Sequence, residues 1–322
     1  MMRFNHPFLR PAPPALVVLL CAIFFTAASA QSLSTAELTV QTEGATLSGT
    51  LLTSSKAKTA VLIIAGSGPT DRDGNNAIMK NNSLKFLAEA LAEEGYATLR
   101  YDKRGVGAST SEQGEADLRF THFAEDAAAW VEFLREERGF KKVVVLGHSE
   151  GALLGLVAAT MLPVDGYVSL AGAGRPAGTV LREQLANQPA MIVEMSESIL
   201  TELERGQTVD SVFPMLYSLF RPSVQPYMIS WMAYDPAALL AQYKGPSLVV
   251  QGMRDIQVGE ADVAALEKAG ADRVVRLETM NHVLKDAPAD RAGNVALYGK
   301  QEVLLHEELV PEIVAFLKKS RL

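Results

Sequence analysis

Gly147-His148-Ser149-Glu150-Gly151 separates the β-branched apolar run Val143 to Leu146 from the apolar, helix-prone run Ala152 to Met161. Few segments constrain a fold as tightly. A strand that becomes a helix within five residues needs a sharp reversal, and a Cβ at either flank would collide with it. The reversal lifts the Ser149 hydroxyl above the sheet, and the helix N-terminus behind it favours negative charge developing there. The pentapeptide is therefore read as a turn that presents Ser149 as a nucleophile.

The surrounding chain repeats the same rhythm. Residues 36–53 alternate apolar and polar and read as an N-terminal hairpin with turns at Gly44 and Gly49. Short apolar runs at 60–65, 96–101, 143–146, 167–170, 248–250 and 274–277 read as buried strands. Helical patterns lie at 83–94, closed by Gly95, and along the face Ala124, Ala127, Ala128, Val131, Leu134. A closing helix carries Val310, Ile313, Val314 and Leu317, with Pro311 in its first turn. Continuous apolar strands separated by helices predict a mostly parallel sheet with helices on both faces.

Residues 176–244 break that rhythm. They are too long for one crossover and hold Met191, Met195, Met215, Met228 and Met232 with Phe213, Phe220 and Trp231. The segment reads as a helical cap inserted between a first core part, 31–175, and a second, 245–322. Its Met and aromatic residues either form the cap's own core or line an adaptable apolar pocket.

A serine hydroxyl needs a base to take its proton. His282 follows the strand ending at Leu277, at the sheet edge that carries Ser149, and is the expected general base. His148 is adjacent to Ser149 and should point elsewhere, as a packing residue. His122 at a helix start and His306 within a helix read as surface or capping residues. The base needs a carboxylate to orient it. Asp255 follows the strand 248–250 at the same edge. Its rivals are Asp286, four residues past the histidine, and Asp272, which enters a strand from the opposite edge. The order Ser149, Asp255, His282 is that of a strand–turn–helix hydrolase. The oxyanion of a tetrahedral intermediate calls for the Glu150 N–H and a second donor from the loop after 60–65. Ser67 is the choice there, with Gly68 as rival. Gly66 and Gly68 let the backbone approach substrate. Asp71, Arg72 and Asp73 form either a network that fixes this loop or a plain polar turn. Arg104 is expected to bond backbone carbonyls and hold its own turn.

Arg3 and Arg10 precede an apolar stretch, Ala15 to Ala28, that ends in the small residues Ala28 and Ala30. This is the pattern of an export signal covering 1–30, cleaved before Gln31. Export to the periplasm or the medium follows, with no stable membrane insertion after cleavage. Cys21 is the one cysteine and lies inside that leader. The mature chain would hold no thiol, which excludes a cysteine nucleophile, a disulfide framework and thiolate metal sites. The net charge is -7, from 30 basic and 37 acidic side chains. That balance argues against nucleic acid as a partner. Gly172-Ala173-Gly174 with Ala177 is a partial nucleotide fingerprint, but Pro176 follows it where a helix should start.

Taken together, Ala65 to Asn75, Tyr101 to Gly107, Gly147 to Gly151, Gln251 to Asp255 and Asn281-His282 resemble the α/β-hydrolases, in particular bacterial serine esterases of the EstD type. The Gly66–Asn75 stretch is the most selective of these. The resemblance implies a Ser–Asp–His esterase with a helical cap, a small-molecule ester substrate, no cofactor and no metal. It departs at Ala65-Gly66, where the family often has His-Gly. The expected reaction is cleavage of carboxylic esters through an acyl-enzyme. A thioesterase or a peptidase using the same three residues is the alternative.

Overall fold

The computed structural model describes Met1 and residues 32–322. The leader, Cys21 and the cleavage site lie outside the described residues.

The chain opens with a hairpin of β1 (Ser34–Thr42) and β2 (Ala45–Thr53). There follow β3 (Thr59–Ile64), α1 (Ser83–Glu93), β4 (Ala97–Tyr101), a two-residue β5 (Thr110–Ser111) and α2 (Phe120–Glu136). Next come β6 (Lys142–His148), α3 (Glu150–Met161) and β7 (Gly166–Leu170). The long connection after β7 carries α4 (Ala177–Leu185), α5 (Ala190–Glu204), α6 (Tyr217–Phe220), α7 (Gln225–Met232) and α8 (Pro236–Gln242). The chain ends with β8 (Ser247–Gly252), α9 (Glu260–Lys268), β9 (Arg273–Leu277), α10 (Arg291–Ala296) and α11 (Leu309–Lys319).

The strands form one sheet in the order β1-β2-β4-β3-β6-β7-β8-β9, with β5 added beside β2. From β4 to β9 every pairing is parallel; β1, β2 and β5 supply the antiparallel end. Alternation along each strand splits the core into two layers. Val61, Ile63, Val144, Leu146, Val168 and Val250 face α1 and α11. Leu62, Ile64, Val143 and Val145 face α2 and α3. This is the α/β-hydrolase architecture, a mostly parallel sheet with helices on both faces.

Helices α4 to α7 make a core of their own from Leu181, Ile199, Leu200, Leu216, Phe220 and Met228. Of the five methionines, Met228 is buried there, whereas Met191 and Met215 are exposed. Helix α8 does not join them. Its Leu240 packs with Leu156, Tyr167, Val249 and Leu266 on the face of the sheet. No described helix is long and apolar enough to cross a membrane.

Candidate active site

The turn after β6 has the strain that the pentapeptide requires. Ser149 adopts φ 55, ψ -124, a left-handed conformation that costs a non-glycine residue of order 1–3 kcal/mol. A Cβ on Gly147 would lie 2.1 Å from the Gly151 carbonyl oxygen, and one on Gly151 2.3 Å from that of Ile64. Neither position has room for a side chain. The Ser149 N–H donates to the Leu170 carbonyl at 2.9 Å, which anchors the turn to β7.

Three side chains from three turns meet at this edge. His282 Nε2 lies 3.1 Å from Ser149 Oγ, and His282 Nδ1 lies 2.7 Å from Asp255 Oδ2. All three follow parallel strands or their loops, which is why residues 133 and 27 positions apart converge. Asp255 Oδ1 accepts from the N–H groups of Gln257 and Val258 at 2.7 and 3.0 Å, and Oδ2 from Gln251 Nε2 at 3.0 Å. Burial works to raise this carboxyl. The charge and hydrogen bond of His282 and the two backbone donors outweigh it and hold the group below its usual range. Asp255 is thus an anion placed to orient Nδ1–H and leave Nε2 free to accept a proton.

The base loop is closed on itself. Asn281 N–H donates to the Lys285 carbonyl, Asn281 Oδ1 accepts from Lys285 N–H, and Leu284 takes φ 64 between them. Asn294 ties this loop to the acid loop. Its Oδ1 accepts from Asn281 Nδ2 at 3.1 Å and its Nδ2 donates to the Arg254 carbonyl at 2.6 Å. Asn294 has no motif around it, so nothing in the sequence marks it.

The rival carboxylates lie apart. Asp286 is exposed and bridges Met280 through its backbone. Asp272 caps the opposite end of β8, accepting from Ser247 N–H at 2.9 Å.

His148 corrects one sequence expectation. It does not turn away to pack: its Nε2 lies 2.7 Å from the His282 carbonyl oxygen, and the two rings are 5.0 Å apart. Only a protonated Nε2 can bond that carbonyl, so His148 is a donor that holds the base loop in place. Burial and then the neighbouring His282 push its pKa down to about 4. An unfolded histidine takes up its proton near pH 6.5. Between about 6.5 and about 4 the unfolded chain therefore binds a proton that the folded chain refuses, and stability falls as pH falls across that window. The urea midpoint should drop between pH 7 and pH 4.5, and less steeply in His148→Gln. Equal slopes for the two proteins would remove His148 as the cause.

His306 corrects part of another. It lies before α11, not within a helix, and is buried with its Nε2 3.0 Å from Thr279 Oγ1, but it does cap, its Nδ1 accepting the Glu308 N–H at 3.3 Å. His122 does cap, accepting the Arg119 N–H through Nδ1 at 3.3 Å. Arg104 goes beyond bonding backbone carbonyls. It reaches those of Glu43 and His122, but its main partner is Asp126, at 2.8 and 2.6 Å.

The loop after β3 lies against the nucleophile. A Cβ on Gly66 would come within 3.1 Å of Ser149 Cβ, and Gly68 needs φ +69. Arg72 and Asp73 brace the loop from behind. Arg72 pairs with Asp102 and Glu37, and Asp73 with Arg100. Asp71 Oδ1 accepts the N–H groups of Asp73 and Asn75. The buried Lys103 ammonium donates to the Gly66 carbonyl. In a trans peptide the N–H points opposite to its carbonyl, so this bond turns the Ser67 N–H away from Lys103. Among the described residues the Ser67 N–H has no protein acceptor. The Glu150 N–H, first in α3, is one of the orphan donors of a helix start.

Two cavities open beside Ser149. One, of about 500 Å³, runs beneath α4 and α7 and is lined by Phe123, Leu153, Val180, Leu181, Met228 and Trp231 among others. The second, of about 90 Å³, lies on the side of His282 and His148. Among the described residues no group of His, Cys, Asp or Glu is placed to hold a metal ion.

Against known proteins, a family model described as serine aminopeptidase, S33 matches residues 80–291. That span contains Ser149, Asp255 and His282 and stops short of the Gly66–Ser67 loop. Esterase EstD of Thermotoga maritima is 31% identical over 236 residues, 70% of this chain and 54% of that one. The chain thus spans about half the length of that relative. Among solved structures, Est1E from Butyrivibrio proteoclasticus, bound to ferulic acid, superposes with a TM-score of 0.61 at 19% identity, covering 88% of this chain and 99% of that one. The α/β-hydrolase GrgF from Penicillium sp. sh18 gives 0.58 at 21% identity, covering 90% and 99%. These structural likenesses speak for the fold.

Proposed function

The chain belongs to the serine aminopeptidase S33 family of α/β-hydrolases, and from that premise we propose that it hydrolyses carboxylic esters through an acyl-enzyme on Ser149. The observation that carries the reading is the unbroken hydrogen-bond path from Ser149 Oγ through His282 to Asp255, at 3.1 and 2.7 Å. Ser149 Oγ attacks the acyl carbon while its proton passes to His282 Nε2. The new O–C bond forms, the bond to the alcohol oxygen breaks, and His282 gives that oxygen the proton. Water then repeats the exchange and frees the acid. The N–H groups of Glu150 and Ser67 receive the oxyanion.

Lys103 acts in this scheme as a positioning residue. Its ammonium on the Gly66 carbonyl polarises the peptide whose other end is the Ser67 donor, which favours Ser67 over Gly68. Lys103→Met should lower kcat by about 10-fold, since weakening a donor costs less than the roughly 10²–10³ of losing one. KM should change little, and affinity for a trifluoromethyl ketone should fall in step with kcat. Lys103→Arg should recover part of both. A loss of thermal stability with kcat and inhibitor affinity intact would make Lys103 merely structural.

The family description also names aminopeptidases, which must hold a free α-ammonium on a carboxylate. Two acids line the large cavity. Glu115 is engaged by Arg221 and Ser223. Glu150 is pushed by burial toward its neutral form, against the pull of Lys103. Neither is a ready anchor for a cation, so the ester reading is preferred. The name of the EstD relative agrees with it.

Export rests on Arg3, Arg10, the apolar stretch and Ala28-x-Ala30. N-terminal sequencing of secreted material should begin at Gln31. For the chemistry, the chain from Gln31 should cleave ethyl octanoate and take one fluorophosphonate on Ser149. An adduct mapped to another residue, with esterase activity lost, would refute the assignment.

A further inference from the structure

The two cavities differ in the one residue that matters for direction. Ser149 and Ser67 line both, but His282 lines only the small one. Under the serine-hydrolase reading, on which this inference rests, His282 Nε2 hands its proton to the departing oxygen. That oxygen must therefore leave within hydrogen-bond reach of Nε2. The leaving alcohol belongs on the His282 side, and the acyl group is left the space under the cap.

We propose that the substrates are esters of a bulky apolar acid with a small, hydroxyl-bearing alcohol, the acyl group filling the cavity under the cap and the alcohol the pocket beside His282.

Size and chemistry agree with the direction. About 500 Å³ lies within the roughly 300–1,000 Å³ of pockets that enclose a drug-sized ligand. Its apolar walls come from α3, α4 and α7, including Leu153, Val180, Leu181, Met228 and Trp231. About 90 Å³ is less than a fifth of the large cavity's volume, so a short alcohol is favoured there over a bulky aromatic one. The walls of this small pocket are mixed: Thr70, Asn76 and Asn81 line it together with the apolar Met79, Leu84 and Val283. Asn76 and Asn81 spend their Oδ1 atoms on backbone N–H groups. Among the described residues their Nδ2 groups donate to no protein acceptor. They are donors for a hydroxyl on the leaving group, which an alkyl alcohol would leave unsatisfied. The same pocket admits the water for deacylation, because that water must give its proton to the same Nε2.

The test varies each half of the ester separately in a pH-stat assay, which needs no chromogenic leaving group. With the acid held as octanoate, kcat/KM should fall at least 10-fold from the 2-hydroxyethyl to the benzyl ester. With the alcohol held as ethanol, it should rise at least 10-fold from acetate to octanoate. Met79→Ala, which widens the small pocket, should raise the benzyl-to-ethyl ratio and leave the acyl-length profile in place. Leu219→Trp, at a half-buried position on the large cavity, should lower the octanoate-to-acetate ratio and leave the alcohol profile in place. Both read as ratios within one protein, so partial loss of folded material does not blur them. The opposite order, with benzyl acetate cleaved better than hydroxyethyl octanoate and each variant moving the other profile, overturns the proposal while Ser149-dependent hydrolysis persists. If no ester is cleaved, or cleavage survives Ser149→Ala, the enzymatic reading itself falls and this inference with it.

Discussion

Ser149→Ala is expected to lower kcat for ester hydrolysis by about 10⁴–10⁶-fold, as removal of a triad nucleophile does when only binding and the oxyanion donors remain. His282→Ala should cost about as much, and the double variant little more than either alone, because nucleophile and base act as one unit. Asp255→Asn tests a different link. The amide keeps the shape but presents a donor or a neutral acceptor where His282 Nδ1 needs an anion, and the loss should be about 10⁴-fold. The Ser149 change also removes an oxygen from a residue at φ 55 without relieving the backbone. Its melting temperature should stay near that of the parent, which separates lost chemistry from lost fold. Steady-state kinetics with far-UV melting settles the matter. Turnover of Ser149→Ala within 10-fold of the parent, on a folded protein, would end the mechanism.

Asp126→Ala is expected to destabilise the fold by about 3–5 kcal/mol, the cost of leaving one member of a buried ion pair unpartnered. Asp126 on α2 and Arg104 after β4 are both almost fully shielded. Asp126 also accepts from Thr42 Oγ1 on β1 at 2.9 Å. The carboxylate thus joins the antiparallel end of the sheet, the loop that carries Lys103 and the helix beneath. Among the described residues the guanidinium would then keep Gln113, the carbonyls of Glu43 and His122, and the Phe123 ring. Arg104→Met with Asp126→Leu should recover much of the loss, since replacing both charges by apolar groups avoids the buried unpaired ion. Urea denaturation of the two singles and the double gives the coupling. A single Asp126→Ala that shifts stability by less than 1 kcal/mol would show that the pair is solvated in the folded state.

Strands, helices and the nucleophile turn were legible because each is written in contiguous residues. Val143 to Leu146 must be buried on both faces, Gly147 and Gly151 have no room for a Cβ, and the apolar period of α3 begins at once. Parallel order then puts every loop after a strand on one edge, so Asp255 and His282 could be picked out by position alone. His148 was misread because adjacency to Ser149 says nothing about where a side chain ends. Its partner, the His282 carbonyl, is 134 residues away. Lys103 and Asn294 were silent for the same reason: each acts on a backbone atom of a distant loop, and no residue spacing records that.

What the amino-acid order determined by itself is therefore local: periodicity, the cramped turn, and the types of side chain available at one rim. The tertiary structure decided everything that depends on two remote segments touching. It sent α8 to the sheet and gave α4 to α7 a core of their own, and it placed His282 on the wall of the small pocket alone. The physical reason is that hydrophobic periodicity is a property of one segment. A cavity wall, a hydrogen bond to a far carbonyl and a buried ion pair are properties of the packing between segments.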